Sequence, residues 1–225
     1  MEARDRFALA LDIDDLVLAT RWADELRPWF GVAKIGLELW AAAGPDAVVS
    51  LVDRGYRVFL DVKMHDIPTT VGRAAKVLGA LGPSYVTIHA AGGVDMLHAG
   101  VEGLAEGARG VGLPVPGVLG VTILTSDTDV LPETLTQRVE WSAKAGCAGF
   151  VCAAAEVRRA KSVAPDLLAV VPGIRMGGSP THDQARPATP QEAFAAGADL
   201  IVVGRTVTAA SDRVAAAAAL VGALT

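Results

Sequence analysis

The chain has little cysteine: only Cys147 and Cys152, flanking the apolar residues 148–151. That spacing suits neither a zinc knuckle nor a redox pair, so both are expected to be reduced packing residues. Long apolar runs are missing too. None reaches the roughly 18 uninterrupted residues that a membrane-spanning helix needs. The longest, residues 214–224, is Ala-rich, follows Arg213 and reads as a closing helix. The opening residues, Met1-Glu2-Ala3-Arg4-Asp5-Arg6, lack the apolar centre of a signal peptide, so a cytoplasmic location is expected. Basic clusters are also wanting: 20 Lys and Arg against 25 Asp and Glu leave a net charge of −5. Nothing suggests a surface that grips nucleic acid or a membrane, although one Arg with a few backbone amides can still hold a phosphate. No Asp/Glu/His set has the spacing of a magnesium or zinc site, and His182-Asp183 has no third ligand near it. No metal is expected.

What is present is one repeated unit: a short apolar run, a turn, then a helical stretch. The runs fall at residues 7–11, 32–35, 57–60, 85–88, 115–123, 149–152, 167–171 and 200–203. They are apolar throughout rather than alternating, as strands buried on both faces of a parallel sheet are. Residues 16–30 put Leu16, Ala19, Trp22, Ala23 and Leu26 on one helical stripe. Residues 134–145 and 190–196 are similar, the second with Thr189 at the N-cap and Pro190 at the first helical position. Gly55, Gly82, Gly146 and Gly197 stand just before strands, where helix C-caps belong. With no Pro/Ser-rich linker among 225 residues, eight such units predict an α/β fold, a single (β/α)8 TIM barrel over residues 1–225.

Chemistry on such a barrel gathers at the C-terminal ends of the strands. The first run ends in Asp12, the second contains Lys34, and the third leads into Asp61-Val62-Lys63. Strand side chains alternate, so Asp61 and Lys63 face the same way, roughly 6.6 to 7 Å apart along the strand. Lys34 on the neighbouring strand can join them in a row of alternating charges. An isolated Asp-x-Lys is equally well a structural ion pair. With Asp12, Lys34, Asp66 and Arg205 on the same rim that explanation weakens, because charges are costly to bury without a task.

The ten residues Asp61-Val62-Lys63-Met64-His65-Asp66-Ile67-Pro68-Thr69-Thr70 resemble the signature of the orotidine 5'-phosphate decarboxylase family. Ala10-Leu11-Asp12, Lys34-Ile35-Gly36, residues 121–126 and 171–175, and Val203-Gly204-Arg205 match in order and spacing; Thr69 departs from the family's usual Asn. The resemblance implies decarboxylation of orotidine 5'-monophosphate to UMP without a cofactor. It implies Lys63 as proton donor, Asp61 as the carboxylate facing the substrate carboxylate, and Asp12 and Lys34 as ligands of the ribose hydroxyls. It further implies a homodimer with shared active sites, in which Asp66, Ile67 and Thr70 reach the neighbouring subunit's site. Thr125 matches a contact to the pyrimidine, Gln184 a bridge between pyrimidine and phosphate, and Pro172 a residue of the pocket floor. Arg175, Gly204 and Arg205 match the phosphate end.

Gly204-Arg205 follows the last strand, where barrels often hold phosphate: the glycine admits backbone amides and the arginine supplies a fork of donors. Residues 174–187, rich in Gly, Ser and Pro, read as a loop and a lid over the site. His65 is expected to point away from Asp61 and Lys63. His89 ends the fourth run without an assigned role, and His98 and the tryptophans at 22, 29, 40 and 141 read as helix-face packing. A magnesium-dependent sugar-phosphate decarboxylase or aldolase shares the Asp-x-Lys-x-x-Asp spacing. His65-Asp66-Ile67-Pro68 and the lack of a metal carboxylate at position 34 argue against it, and insensitivity to EDTA separates the two. A non-catalytic phosphate-binding barrel is the other rival; drift should have cost it Asp61 or Lys63.

Overall fold

Eight parallel strands close into one barrel, in chain order, in a computed structural model that describes residues 3–124, 127, 131–176 and 188–222. The strands are β1 Phe7–Leu11, β2 Val32–Ile35, β3 Arg57–Met64, β4 Tyr85–His89, β5 Gly117–Val121, β6 Gly149–Val151, β7 Leu168–Val171 and β8 Leu200–Val203. Pairing of β1 with β8 completes the ring. All eight coincide with the apolar runs expected from sequence, with shifted ends. β5 is shorter than its run, and β3 continues through the charged residues to Met64.

Strand alternation divides the core into two layers. Ala8, Ala10, Val32, Phe59, Leu119, Val170, Leu200 and Val202 form a separate buried cluster, the plug inside the barrel. The intervening residues, among them Phe7, Leu9, Leu11, Ile35, Val58 and Leu60, pack outward against the helices. This double burial explains why no strand alternates in hydropathy.

The helices are α1 Leu16–Leu26, α2 Leu37–Ala43, α3 Pro45–Asp53, α4 Pro68–Gly79, α5 Gly93–Gly110, α6 Pro132–Lys144, α7 Val157–Val163, α8 Pro190–Ala196, α9 Arg205–Thr208 and α10 Arg213–Gly222. Asp15 caps α1 by accepting a hydrogen bond from the Leu18 amide at 2.9 Å. The stripe read to residue 30 stops at Leu26 because Pro28 has no N–H to return to residue 24. Thr189 and Glu192 cap α8 reciprocally, as its sequence suggested. The four glycines read as C-caps all take positive φ. Between β2 and β3 lie two helices instead of one, broken where Gly44, at φ 53°, precedes Pro45.

α4 and α5 approach unusually closely, and glycines make that possible. A Cβ on Gly79 would lie 2.3 Å from the Leu104 carbonyl oxygen, one on Gly103 2.2 Å from that of Gly72, and one on Gly107 1.9 Å from that of Lys76. Cys147 and Cys152 are buried and free, and burial pushes the Cys147 thiol up to about 12. The four tryptophans pack against the core from partly buried positions. Among the described residues no helix is long and apolar enough to cross a membrane.

Candidate active site

One pleat past the apolar plug, the barrel changes character. Two residues beyond each inward plug position stand Asp12 (after Ala10), Lys34 (after Val32), Asp61 (after Phe59) and Thr87 (after Tyr85). Around the rest of the ring the same step gives Val121, Val151, Pro172 and Gly204. All of these except Thr87 line a pocket of about 480 Å³ at the C-terminal mouth, within the range of small-molecule sites. Arg175 and Arg205 line its β7–β8 side.

The β1–β3 side carries a continuous chain of opposite charges. The Lys34 ammonium lies 2.8 Å from Asp12 Oδ1 and 3.7 Å from Asp61 Oδ2, and Lys63 Nζ reaches that same Oδ2 at 2.8 Å. Lys34 is only 7 % exposed. An ammonium so buried is tolerable only with partners, and removing one partner of such a pair costs about 3–5 kcal/mol. Burial by itself would raise the Asp61 carboxyl. The charges of Lys34 and Lys63, with hydrogen bonds from Lys63 and Thr87, outweigh burial and hold it below its ordinary value. Room for the chain comes from Gly36, where a Cβ would stand 2.3 Å from Asp12 Oδ1 and 3.0 Å from Lys34 Nζ.

The pairing of β3 with β4 slips at this point. Leu60 pairs with Val86 and Met64 with Ile88, so Asp61, Val62 and Lys63 together face the single residue Thr87. Lys63 has φ 48°, the one non-glycine residue with positive φ among those described; that conformation costs an L-residue about 1–2 kcal/mol. The Lys63 amide donates to Thr87 Oγ1 at 2.9 Å, and the Thr87 hydroxyl donates to Asp61 Oδ1 at 3.0 Å.

Comparison with known proteins bears directly on this arrangement. Residues 5–220 match the Orotidine 5'-phosphate decarboxylase / HUMPS family. The chain belongs to that family. Orotidine 5'-phosphate decarboxylases of Moorella thermoacetica and Anaeromyxobacter sp. (strain K) are 40% and 43% identical to it, covering 98% and 100% of this chain and 92% and 100% of their own. The crystal structure of orotidine 5'-phosphate decarboxylase from Lactobacillus acidophilus superposes with a TM-score of 0.81 at 35% identity, over 96% of this chain and 97% of that one. The chain is an enzyme of the carboxy-lyase kind.

Within this member of the decarboxylase family, the candidates read from sequence separate into three groups. Asp12, Lys34, Asp61, Lys63, Pro172, Arg175, Gly204 and Arg205 share the pocket. Arg175 is buried there, its Nη1 donating to the Ile174 carbonyl at 2.9 Å. Asp66, Ile67 and Thr70 lie outside it, exposed on the rim at the start of α4; Ile67 is 65 % exposed, and Asp66 accepts from the Ile67 amide at 2.6 Å. Thr125, Ser126 and Gln184, with His182, Asp183 and lid residues 177–187, lie outside the described residues. His65 stays off the pocket wall and packs against His89, ring centroids 5.4 Å apart. Sequence reasoning missed Thr87 and two polar residues of the pocket wall, Glu38 and Thr208. Counting two residues on from Tyr85 would have found Thr87.

Proposed function

We propose that the chain decarboxylates orotidine 5'-monophosphate to UMP, the last step of de novo pyrimidine biosynthesis, with Lys63 as proton donor and no cofactor. The observation that carries this is the unbroken sequence Asp12–Lys34–Asp61–Lys63 along one side of a nucleotide-sized pocket. Loss of CO2 from C6 of the pyrimidine leaves an electron pair that the ring delocalises poorly, so it must be met in place. The Lys63 ammonium offsets that charge and then gives its proton to C6; the amine regains a proton from solvent. Asp61, anionic at neutral pH, faces the scissile carboxylate. At an effective dielectric near 20, two carboxylates about 4 Å apart repel by roughly 4 kcal/mol, and departure of neutral CO2 removes that repulsion. Asp61 also anchors the Lys63 ammonium.

Asp12 and Lys34 pair an acceptor with a donor, which suits the ribose diol. Arg205, Gly204 and Arg175 take the phosphate, whose remote binding energy lowers the barrier at the reacting carbon. Gln184 bridges phosphate and base, Thr125 contacts the pyrimidine, and Pro172 shapes the floor. Asp66, Ile67 and Thr70, exposed on the rim, reach the site of a second copy in a homodimer. Residues 1–225 act as one catalytic domain in the cytoplasm.

The test follows the ultraviolet absorbance of orotidine 5'-monophosphate, which falls as product forms. Wild type should lower it catalytically. Lys63→Ala should bind UMP normally yet lose turnover by orders of magnitude. Persistence of turnover in that variant would refute the proton-donor role.

A further inference from the structure

We infer that Thr87 is a positioning residue whose one hydroxyl sets both Asp61 and Lys63 for the reaction. The inference rests on the reaction proposed above and adds a residue to it. Thr87 is wholly buried, on β4, opposite the three-residue excursion of β3. In an unbroken ladder the Lys63 amide would pair with a backbone carbonyl of the neighbouring strand. Here a side-chain oxygen takes the carbonyl's place, at 2.9 Å. The same oxygen's proton goes to Asp61 Oδ1 at 3.0 Å, leaving Oδ2 for the two lysines. A hydroxyl can donate once and accept as well, and both capacities are used.

The consequence is a coupling of backbone to charge. The bond to its amide holds Lys63 in the left-handed conformation, from which its ammonium doubles back onto Asp61. The bond to Oδ1 fixes the carboxylate's rotation, so that Oδ2 lies between Lys34 and Lys63. Neither task touches ribose or phosphate, so Thr87 should govern the chemical step and not nucleotide affinity.

Three variants and two readouts decide the matter. Thr87→Val keeps the shape and deletes the hydroxyl, stranding a buried amide and freeing the carboxylate. It should lower kcat roughly 10- to 100-fold, the range expected for a buried group left unpaired. KM for orotidine 5'-monophosphate should not rise, and affinity for UMP should stay within about twofold, because no contact to ribose or phosphate is lost. Thr87→Ser should restore most of the rate. Should Thr87→Val fail to fold, Thr87→Ala against Thr87→Ser makes the same comparison, and Ala must be slower than Ser by about tenfold or more. Equal rates with and without the hydroxyl, or a KM that rises as kcat falls, would overturn the inference. Crystal structures of wild type and Thr87→Val supply the second readout, independent of turnover. Lys63 should leave positive φ or part from Asp61; an unchanged pair at 2.8 Å would count against Thr87. A wild type that fails to turn over the nucleotide sinks the proposed reaction, while the two structures still decide what Thr87 does.

Discussion

Asp61 carries more of the site than any other side chain, since one oxygen meets two ammonium groups and the other a hydroxyl. Its carboxyl is held below the ordinary 3.8 despite burial, so the folded protein binds that proton less readily than the unfolded chain does. The stability this contributes is present above pH 3.8 and is lost as pH falls through the folded value. His89 acts over a higher window. Burial, then the neighbouring charges of His65, Lys63 and Arg138, depress it from 6.5 against an opposing pull from Asp127. Its protonation therefore favours the unfolded chain, and stability is lost as pH falls below 6.5. Melting temperatures measured from pH 7.5 downward should show His89→Asn flattening the first decline and Asp61→Asn only the later one, below pH 4. An Asp61 variant that alters the slope near pH 6 contradicts this division. Asp12, Lys34, Asp61 and Lys63 were legible in the sequence because charges that end apolar runs stand out. Thr87 was not, since threonine in a strand is an ordinary β-former, and only counting two residues on from Tyr85 places it in the ring of the site. The positive φ of Lys63 was equally hidden, arising from a register slip that needs both strands to be seen.

Among the elements, the α4–α5 pair shows how packing can reverse an intrinsic preference. Alanine in place of a mid-helix glycine ordinarily stabilises by up to about 1 kcal/mol. At Gly107 the added methyl would sit 1.9 Å from the Lys76 carbonyl oxygen, whereas at Gly110 nothing lies within 4 Å. Gly107→Ala should therefore destabilise by about 2 kcal/mol, a fall of some 4–8 °C in Tm. Gly110→Ala should be neutral or slightly stabilising, and thermal melts of the two side by side check the contrast. The helix and strand positions themselves were largely readable. Pro190 after Thr189, and a glycine after a helix, are local signals that tertiary contacts did not override. Where sequence reading went astray, the cause was also local. Pro28 ends α1 at Leu26, four residues short of the stretch read as helical to residue 30, and Gly44-Pro45 splits one connection into two helices.

For the whole molecule, the reading that Asp66 completes a neighbour's site has a direct consequence. Lys63→Ala and Asp66→Ala should each be inactive alone, yet mixing them under exchanging conditions should regenerate activity. A mixed dimer holds one doubly defective site and one intact site, so random pairing returns about a quarter of wild-type activity. A mixture as inactive as its parents would mean that Asp66 serves its own chain or none. The barrel was legible from sequence because double burial turns every strand into a short apolar word. The two-fold partner proposed above would leave no comparable mark in the sequence. The single pleat separating the dry plug from the charged mouth has a last implication, for how such a protein can change. Excising one residue, for instance Ala33, would rotate Lys34 out toward the helices and swing Ile35 inward over the nucleotide's seat. Substitutions can be tried one at a time in these strands, whereas a lost codon flips every later side chain of its strand at once; insertions and deletions should therefore accumulate in the loops and stay out of the staves.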